Sequence, residues 1–270
     1  MIDRICISIN NRCNLRCRYC HFHEKGVVES ADMDVFKILN NVKACSDRNF
    51  KIGFVGNGEA FLDWPLLKSY IRFIEDSPKI SAYTITNGTV RLPDNEWIFL
   101  EEHRVNTGFS IDGYRELHNL NRCGSFDQAM DNVENYRRVT GHYPTFNATV
   151  GKDSLENADA VIDFFRSFGT RVTFSRMIGK YGISLDEYRQ FLLDAEKKIP
   201  VRRGGFDCTM YGGYCGAGIN NYFFANGHVY YCGNCIDLSP IGSSDMTFAE
   251  LERNTLSFDR NKCYKEALCG

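Results

Sequence analysis

No stretch of this 270-residue chain is apolar for long enough to cross a bilayer. The formal net charge is only −2, so neither sign is in the excess that a general nucleic-acid or membrane-surface role requires. The apolar run ICISIN near the N-terminus is short and follows Asp3 and Arg4, which is not the form of a secretory signal. No internal repeat is visible. The expectation is a cytoplasmic protein that binds neither nucleic acid nor membrane.

Cysteine, by contrast, is abundant, with twelve residues. In a reducing compartment clustered thiols serve as metal ligands or catalysts more than as disulfides. A composition of 43% hydrophobic and 24% charged residues suits a normal buried core. The length fits a barrel-sized domain with a small appendage.

The first two-thirds of the chain alternates between strand-like and helical patterns. Strand-like runs are ICISIN, KIGFVG, AYTITNG, RVNTGFSID, TFNATV and RVTFSRM. Between them, apolar residues recur at helical spacing: Val35, Ile38, Leu39 and Val42; then Phe126, Ala129, Met130, Val133 and Tyr136; then Ala158, Val161, Ile162, Phe165 and Phe168. Ser125 with Gln128, and Ser184 with Glu187, have the spacing of capping boxes. This rhythm predicts an α/β fold with six β-α units and a parallel sheet, a partial (β/α)6 TIM-like barrel over residues 1–199. Glu59, Asn87, Ser110, Asp112 and Asn147 are expected at the C-terminal ends of the strands, where such sheets place their sites.

After Pro200 the rhythm stops. Residues 200–270 are rich in Gly, Tyr and Cys, and read as a small Cys-rich domain. YFFANGHVYYC reads as a hairpin turning at Asn226-Gly227, and TFAELERN as a further helix. Six cysteines lie here: Cys208, Cys215, Cys232, Cys235, Cys263 and Cys269.

CNLRCRYC carries the remaining signal. Cys13, Cys17 and Cys20 form C-x3-C-x2-C on a loop after a strand, with no fourth cysteine close by. Three thiolates on a short loop suit a cubane iron–sulfur cluster whose fourth iron stays open for a ligand. The alternative is a structural zinc site completed by His21 or His23, although zinc sites are usually closed by a second knuckle.

Over nearly its whole length the sequence resembles the radical S-adenosylmethionine (SAM) enzymes. In that family C-x3-C-x-aromatic-C holds the reducing [4Fe–4S] cluster, and the aromatic is Tyr19 here. GNGEAFL is similar to the family's Gly-Gly-Glu-Pro strand end, with Asn57 in place of a Gly and Ala60 in place of the Pro. TNGT and FSIDG resemble two further strand ends. DGYRELHNLNRCGSFDQ is similar to a run found in the peptide-modifying branch. The tail resembles the auxiliary-cluster extensions called SPASM and twitch, through Cys215, Gly227 and Cys232.

The resemblance implies reductive cleavage of SAM and hydrogen abstraction from a substrate. It assigns the cluster to Cys13, Cys17 and Cys20, and the cofactor's ammonium to Glu59. Tyr19, Asn87, Ser110 and Asn147 are expected near the cofactor, with Arg122 at its carboxylate. Cys123 is a candidate hydrogen donor. The six tail cysteines suit one four-cysteine cluster with two to spare; Cys215 and Cys232 are the expected ligands, and the other two come from Cys208, Cys235, Cys263 and Cys269. A zinc ribbon is the alternative there. A low-potential donor such as flavodoxin or ferredoxin is the expected partner. The substrate reading is a ribosomally made peptide, with a separate leader-binding protein as a further partner. The competing readings are a twitch-type dehydrogenase of a small molecule such as an aminocyclitol, and a non-catalytic iron–sulfur scaffold. Gly233 counts against a sulfatase-maturing role, because that group carries an Asp just after the hairpin cysteine.

Overall fold

The computed structural model describes residues 1–20, 22, 32–45, 47–177, 179–202, 216–236 and 238–253. Among these, six parallel strands form the body of one sheet: β1 (Arg4–Ile7), β2 (Phe50–Phe54), β3 (Ile80–Thr86), β4 (Asn106–Ser110), β5 (Thr145–Val150) and β6 (Val172–Arg176). They lie in chain order across the sheet, as repeated β-α crossovers dictate. This is the α/β parallel-sheet fold that the alternating pattern predicts.

Each strand shows one face to the helices. Ile5 and Ile7, Ile52 and Phe54, Phe109, Phe146, Ala148 and Val150, and Val172 and Phe174 are all buried. The alternate residues Cys6, Lys51, Tyr83, Asn147, Thr149 and Thr173 are half-buried and mostly polar. Strand side chains alternate between faces, so the second face is a partly open, polar surface.

The helices follow from the expected stripes. Helix α1 (Val35–Lys43) buries Val35, Ile38, Leu39 and Val42, and Asp34 caps its start by accepting from Lys37 N. Burial of each such side chain contributes roughly 1.5–3 kcal/mol. Helices α2 (Trp64–Ile74), α3 (Asp94–Glu102), α4 (Arg115–Asn121), α5 (Phe126–Thr140), α6 (Lys152–Glu156), α7 (Ala158–Arg166) and α8 (Leu185–Glu196) follow in order. The Ser184–Glu187 capping box is formed at the start of α8. The expected box at Ser125 is not. Ser125 makes no side-chain cap bond; its Oγ lies 3.0 Å from His118 Nε2, and Gln128 Nε2 donates to Thr89 O at 2.9 Å. Both side chains are drawn to tertiary partners instead.

The tail hairpin joins the same sheet. β7 (Asn221–Ala225) pairs parallel with β1, and β8 (His228–Tyr230) and β9 (Gly242–Ser243) continue it antiparallel. Asn226 and Gly227 take positive φ values of 53° and 73° at the turn, as a two-residue hairpin demands. The last described helix is α9 (Phe248–Arg253).

Candidate active site at the strand ends

The C-terminal ends of β1, β2 and β3 converge on Glu59. Its backbone N–H donates to Arg12 O at 2.7 Å, tying the segment after β2 to the loop after β1. Its side chain is buried at 3% exposure. Oε1 accepts from Phe61 N at 3.1 Å and Thr86 Oγ1 at 2.9 Å, and Oε2 accepts from Asn87 N at 2.6 Å. Burial raises the Glu59 pKa, and these three donors work against that rise. A carboxylate has about four acceptor positions. Three are filled, which leaves one open.

Glycine is needed where these loops touch. A Cβ on Gly58 would stand 2.1 Å from Asn10 Oδ1 and 2.4 Å from Arg12 O. Asn57, which stands where the family motif has a Gly, has a use of its own. Its Nδ2 donates to Asn11 Oδ1 at 3.3 Å, and Asn11 Nδ2 donates to Asn226 Oδ1 at 2.6 Å. The tail hairpin turn is thereby linked to the Glu59 loop.

Cys13, Cys17 and Cys20 are half-buried on the loop after β1. Asn87 Nδ2 points to Cys13 Sγ at 3.9 Å and to Asn14 Oδ1 at 2.9 Å. Burial raises the Cys13 pKa and pushes that of Cys17 up to about 12, with the charge of Arg122 opposing the rise at Cys17. Among the described residues, no three His, Cys, Asp or Glu side chains are gathered as ligands of a single ion. A cubane takes one thiolate per iron, so its sulfurs stand farther apart than ligands around one ion. Three partly open thiols on one loop, with an amide N–H directed at one sulfur, are a donor set that fits such a cluster. His21 and His23, considered for zinc, lie outside the described residues.

A second group holds the three-cysteine loop from the side of β4 and β5. Tyr19 OH donates to Asp112 Oδ2 at 2.8 Å. The same oxygen pairs with Arg122 Nε at 3.1 Å, and Asp112 Oδ1 accepts from Thr149 N at 3.0 Å. Asp112 N donates to His118 Nδ1 at 3.4 Å. That leaves the Nε2 proton of a neutral His118 for Ser125 Oγ at 3.0 Å. Burial pushes the His118 pKa down to about 4, in keeping with the neutral ring. Asp112, His118 and Ser125 are thus joined in one buried network.

The other expected site residues are placed as follows. Ser110 ends β4 and is buried at 9% exposure. Asn147 lies inside β5 rather than at its end, opposite Ser110 on β4. Cys123 is exposed, and its Sγ donates to Arg16 O at 2.8 Å. Cys232 is half-buried, Cys235 is buried, and Cys235 N donates to Cys232 O at 3.0 Å. Cys208, Cys215, Cys263 and Cys269 lie outside the described residues. Sequence reading gave no role to Cys6, whose Sγ lies 3.3 Å from Tyr83 OH on the polar face of the sheet; the odd–even alternation along β1 was the available signal.

A parallel α/β sheet thus carries a three-cysteine loop at its strand ends, tied to a segment with a buried carboxylate. The Radical SAM superfamily profile matches residues 7–165, and the chain belongs to this family. Over 174 residues it is 25% identical to the cysteine-type anaerobic sulfatase-maturating enzyme of Clostridium novyi, covering 58% of this chain and 46% of that protein. Over 216 residues it is 24% identical to the GTP 3',8-cyclase of Petrotoga mobilis, covering 74% of this chain and 66% of that protein. The chain thus spans about half to two-thirds of the length of these curated relatives. Streptococcus suis SuiB bound to precursor peptide SuiA superposes with a TM-score of 0.74 at 14% identity, covering 93% of this chain and 64% of that one. At that identity the likeness is one of fold. Membership of the family implies SAM and a [4Fe–4S] cluster as the working groups, and a radical reaction as the chemistry. No helix among the described residues is long and apolar enough to cross a membrane.

Proposed function

We propose that this chain is a radical SAM maturase acting on a ribosomally made peptide, by oxidation, crosslinking or epimerisation. The carrying observation is the fold shared with SuiB, a protein solved with its precursor peptide, over 93% of this chain. The Asp112–Ser125 network and the sheet-bound hairpin before Cys232 accord with that reading.

In this proposal Cys13, Cys17 and Cys20 hold the cluster, and the fourth acceptor position of Glu59 takes the ammonium of SAM. Asn87, Ser110, Asn147 and Tyr19 border the cofactor. Arg122, expected at its carboxylate, forms an ion pair with Asp112 at an Nε–Oδ2 distance of 3.1 Å. Once bound, these groups would supply radical chemistry able to remove a substrate hydrogen atom. This chain's own residues orient the groups and border the polar face of the sheet, where Asn147, Thr149 and Thr173 are half-buried. Residues 200–270 form the auxiliary-cluster domain, with Cys215, Cys232 and two of Cys208, Cys235, Cys263 and Cys269 as ligands. A reduced flavodoxin or ferredoxin supplies the electron, and a separate protein binds the peptide's leader. Cys123 as hydrogen donor would first have to release Arg16 O.

A sulfatase-maturing activity fits less well. A Cβ at Gly233 would meet the Phe223 ring at 3.0–3.3 Å, so an Asp at this position requires Phe223 to move. The second reading is a small-molecule radical enzyme, favoured by the likeness to a GTP cyclase over 74% of the chain. The deciding experiment is deuterium transfer. Reconstituted protein is incubated with SAM, a reductant and a co-encoded peptide deuterated at backbone and side-chain carbons. Mass gain in 5′-deoxyadenosine supports the maturase. Gain only from a labelled cyclitol or nucleotide supports the second reading and refutes the first.

A further inference from the structure

The segment Asn121–Cys123 grips the cluster loop at several points. Arg18 N donates to Asn121 O at 3.0 Å, Arg18 Nε donates to Asn121 Oδ1 at 2.8 Å, and Cys123 Sγ donates to Arg16 O at 2.8 Å. Between these contacts sits Arg122. Its guanidinium carbon lies 5.5 Å from the Tyr19 ring centroid. Its side chain is 10% exposed, and that of its partner Asp112 is 0% exposed. A full positive charge and a full negative charge are therefore buried side by side, directly against the stretch Arg16–Tyr19 that carries Cys17.

Such a pair is a poor source of stability. The desolvation of two ions takes back most of their attraction, and an apolar pair of the same shape is often as stable. Its electrostatic effect on a neighbouring redox group is not weakened in this way, because little water is present to screen it. A cluster gains negative charge when it is reduced. A nearby guanidinium favours the reduced form, and a nearby carboxylate opposes it. Charge and hydrogen bonding around such clusters are known levers on their potential.

We propose that Arg122 and Asp112 are positioning residues that hold the three-cysteine loop through Tyr19 and set the reduction potential of the cluster on Cys13, Cys17 and Cys20 by opposing charges. The proposal rests on the family's cluster and is independent of the substrate. The two charges act with opposite signs, which separates an electrostatic role from a merely structural one.

The test uses full-length protein reconstituted anaerobically, as wild type, Arg122→Gln, Asp112→Asn, Arg122→Lys and the double variant Arg122→Gln/Asp112→Asn. Iron content is measured first. Wild type without iron would refute the cluster assignment itself, and with it this proposal. Midpoint potentials are then read by redox titration of the cluster's EPR signal in the absence of SAM. Arg122→Gln is expected to lower the midpoint, Asp112→Asn to raise it, and Arg122→Lys to stay close to wild type. Unshifted midpoints, or shifts of both single variants in one direction with iron retained, would overturn the proposal. If both single variants lose iron, the double variant decides. Recovered iron supports a charge-balance role, and continued loss overturns it in favour of packing alone.

Discussion

The backbone N–H of Asn87 donates to Glu59 Oε2 at 2.6 Å, fastening the residue after β3 to the carboxylate that follows β2. With Phe61 N and Thr86 Oγ1 on the other oxygen, Glu59 is oriented before any ligand arrives. Such preorganisation lowers the ordering cost of binding.

Glu59→Gln keeps the shape and removes the charge. The amide nitrogen must face one of the donors that now bond to carboxylate oxygen. Hydrogen bonds to charged groups contribute about 1.5–3 kcal/mol, so SAM affinity is expected to fall about tenfold or more. Calorimetric titration of reconstituted protein measures this. Unchanged affinity would remove Glu59 from the cofactor site.

Replacing Cys13, Cys17 and Cys20 together by Ala is expected to abolish 5′-deoxyadenosine formation. Iron should fall from roughly eight to roughly four per chain, since each cubane holds four and the tail keeps its own. Persistent cleavage would place the cluster elsewhere. A wild-type content near four would mean that the tail holds zinc or nothing.

His118 predicts a pH dependence. Its folded pKa of about 4 lies below the ordinary value of about 6.5 for an unfolded chain. The folded state therefore binds fewer protons over that interval. The His118 contribution is fully present above about pH 6.5 and is lost as pH falls towards 4, by about 3 kcal/mol in total. Urea denaturation at pH 7.5, 6 and 5 should show a steeper decline for wild type than for His118→Gln. Parallel profiles would contradict a buried neutral ring.

Gly53 lies beneath the Tyr83 ring, where a Cβ would stand 2.4 Å from Cζ. Gly53→Ala is expected to destabilise the protein by about 1–3 kcal/mol through overpacking. Tyr83→Ala removes the clash, so the double variant should lie well above the sum of the single effects. Additive losses in urea melts would show that the ring does not cover Gly53.

Much of the fold was legible in local pattern. Alternating apolar residues marked the strands, and Val35, Ile38, Leu39 and Val42 marked a helix face, because a side chain's direction follows from the backbone period alone. Asn226-Gly227 identified its hairpin because few residues take positive φ cheaply. The box at Ser184 formed because both partners lie within one turn. The box at Ser125 did not, because the buried ring of His118, seven residues away, offered its Oγ another partner.

The cluster loop was also legible, because three cysteines at short spacing lie on one loop in any fold. What holds that loop was not. Tyr19 meets Asp112 across 93 residues, and Asn11 meets Asn226 across 215. No local period records which distant polar groups will be buried together. Sequence alone determined the order of strands and helices, the position of the three-cysteine loop and the family. Tertiary structure alone decided that Asp112 and Arg122 face Tyr19, that Asn57 reaches the tail hairpin through Asn11, and that Cys6 lies beside Tyr83. The physical reason is that a buried polar group must find its partner within about 3 Å in space, at whatever distance along the chain that partner happens to lie.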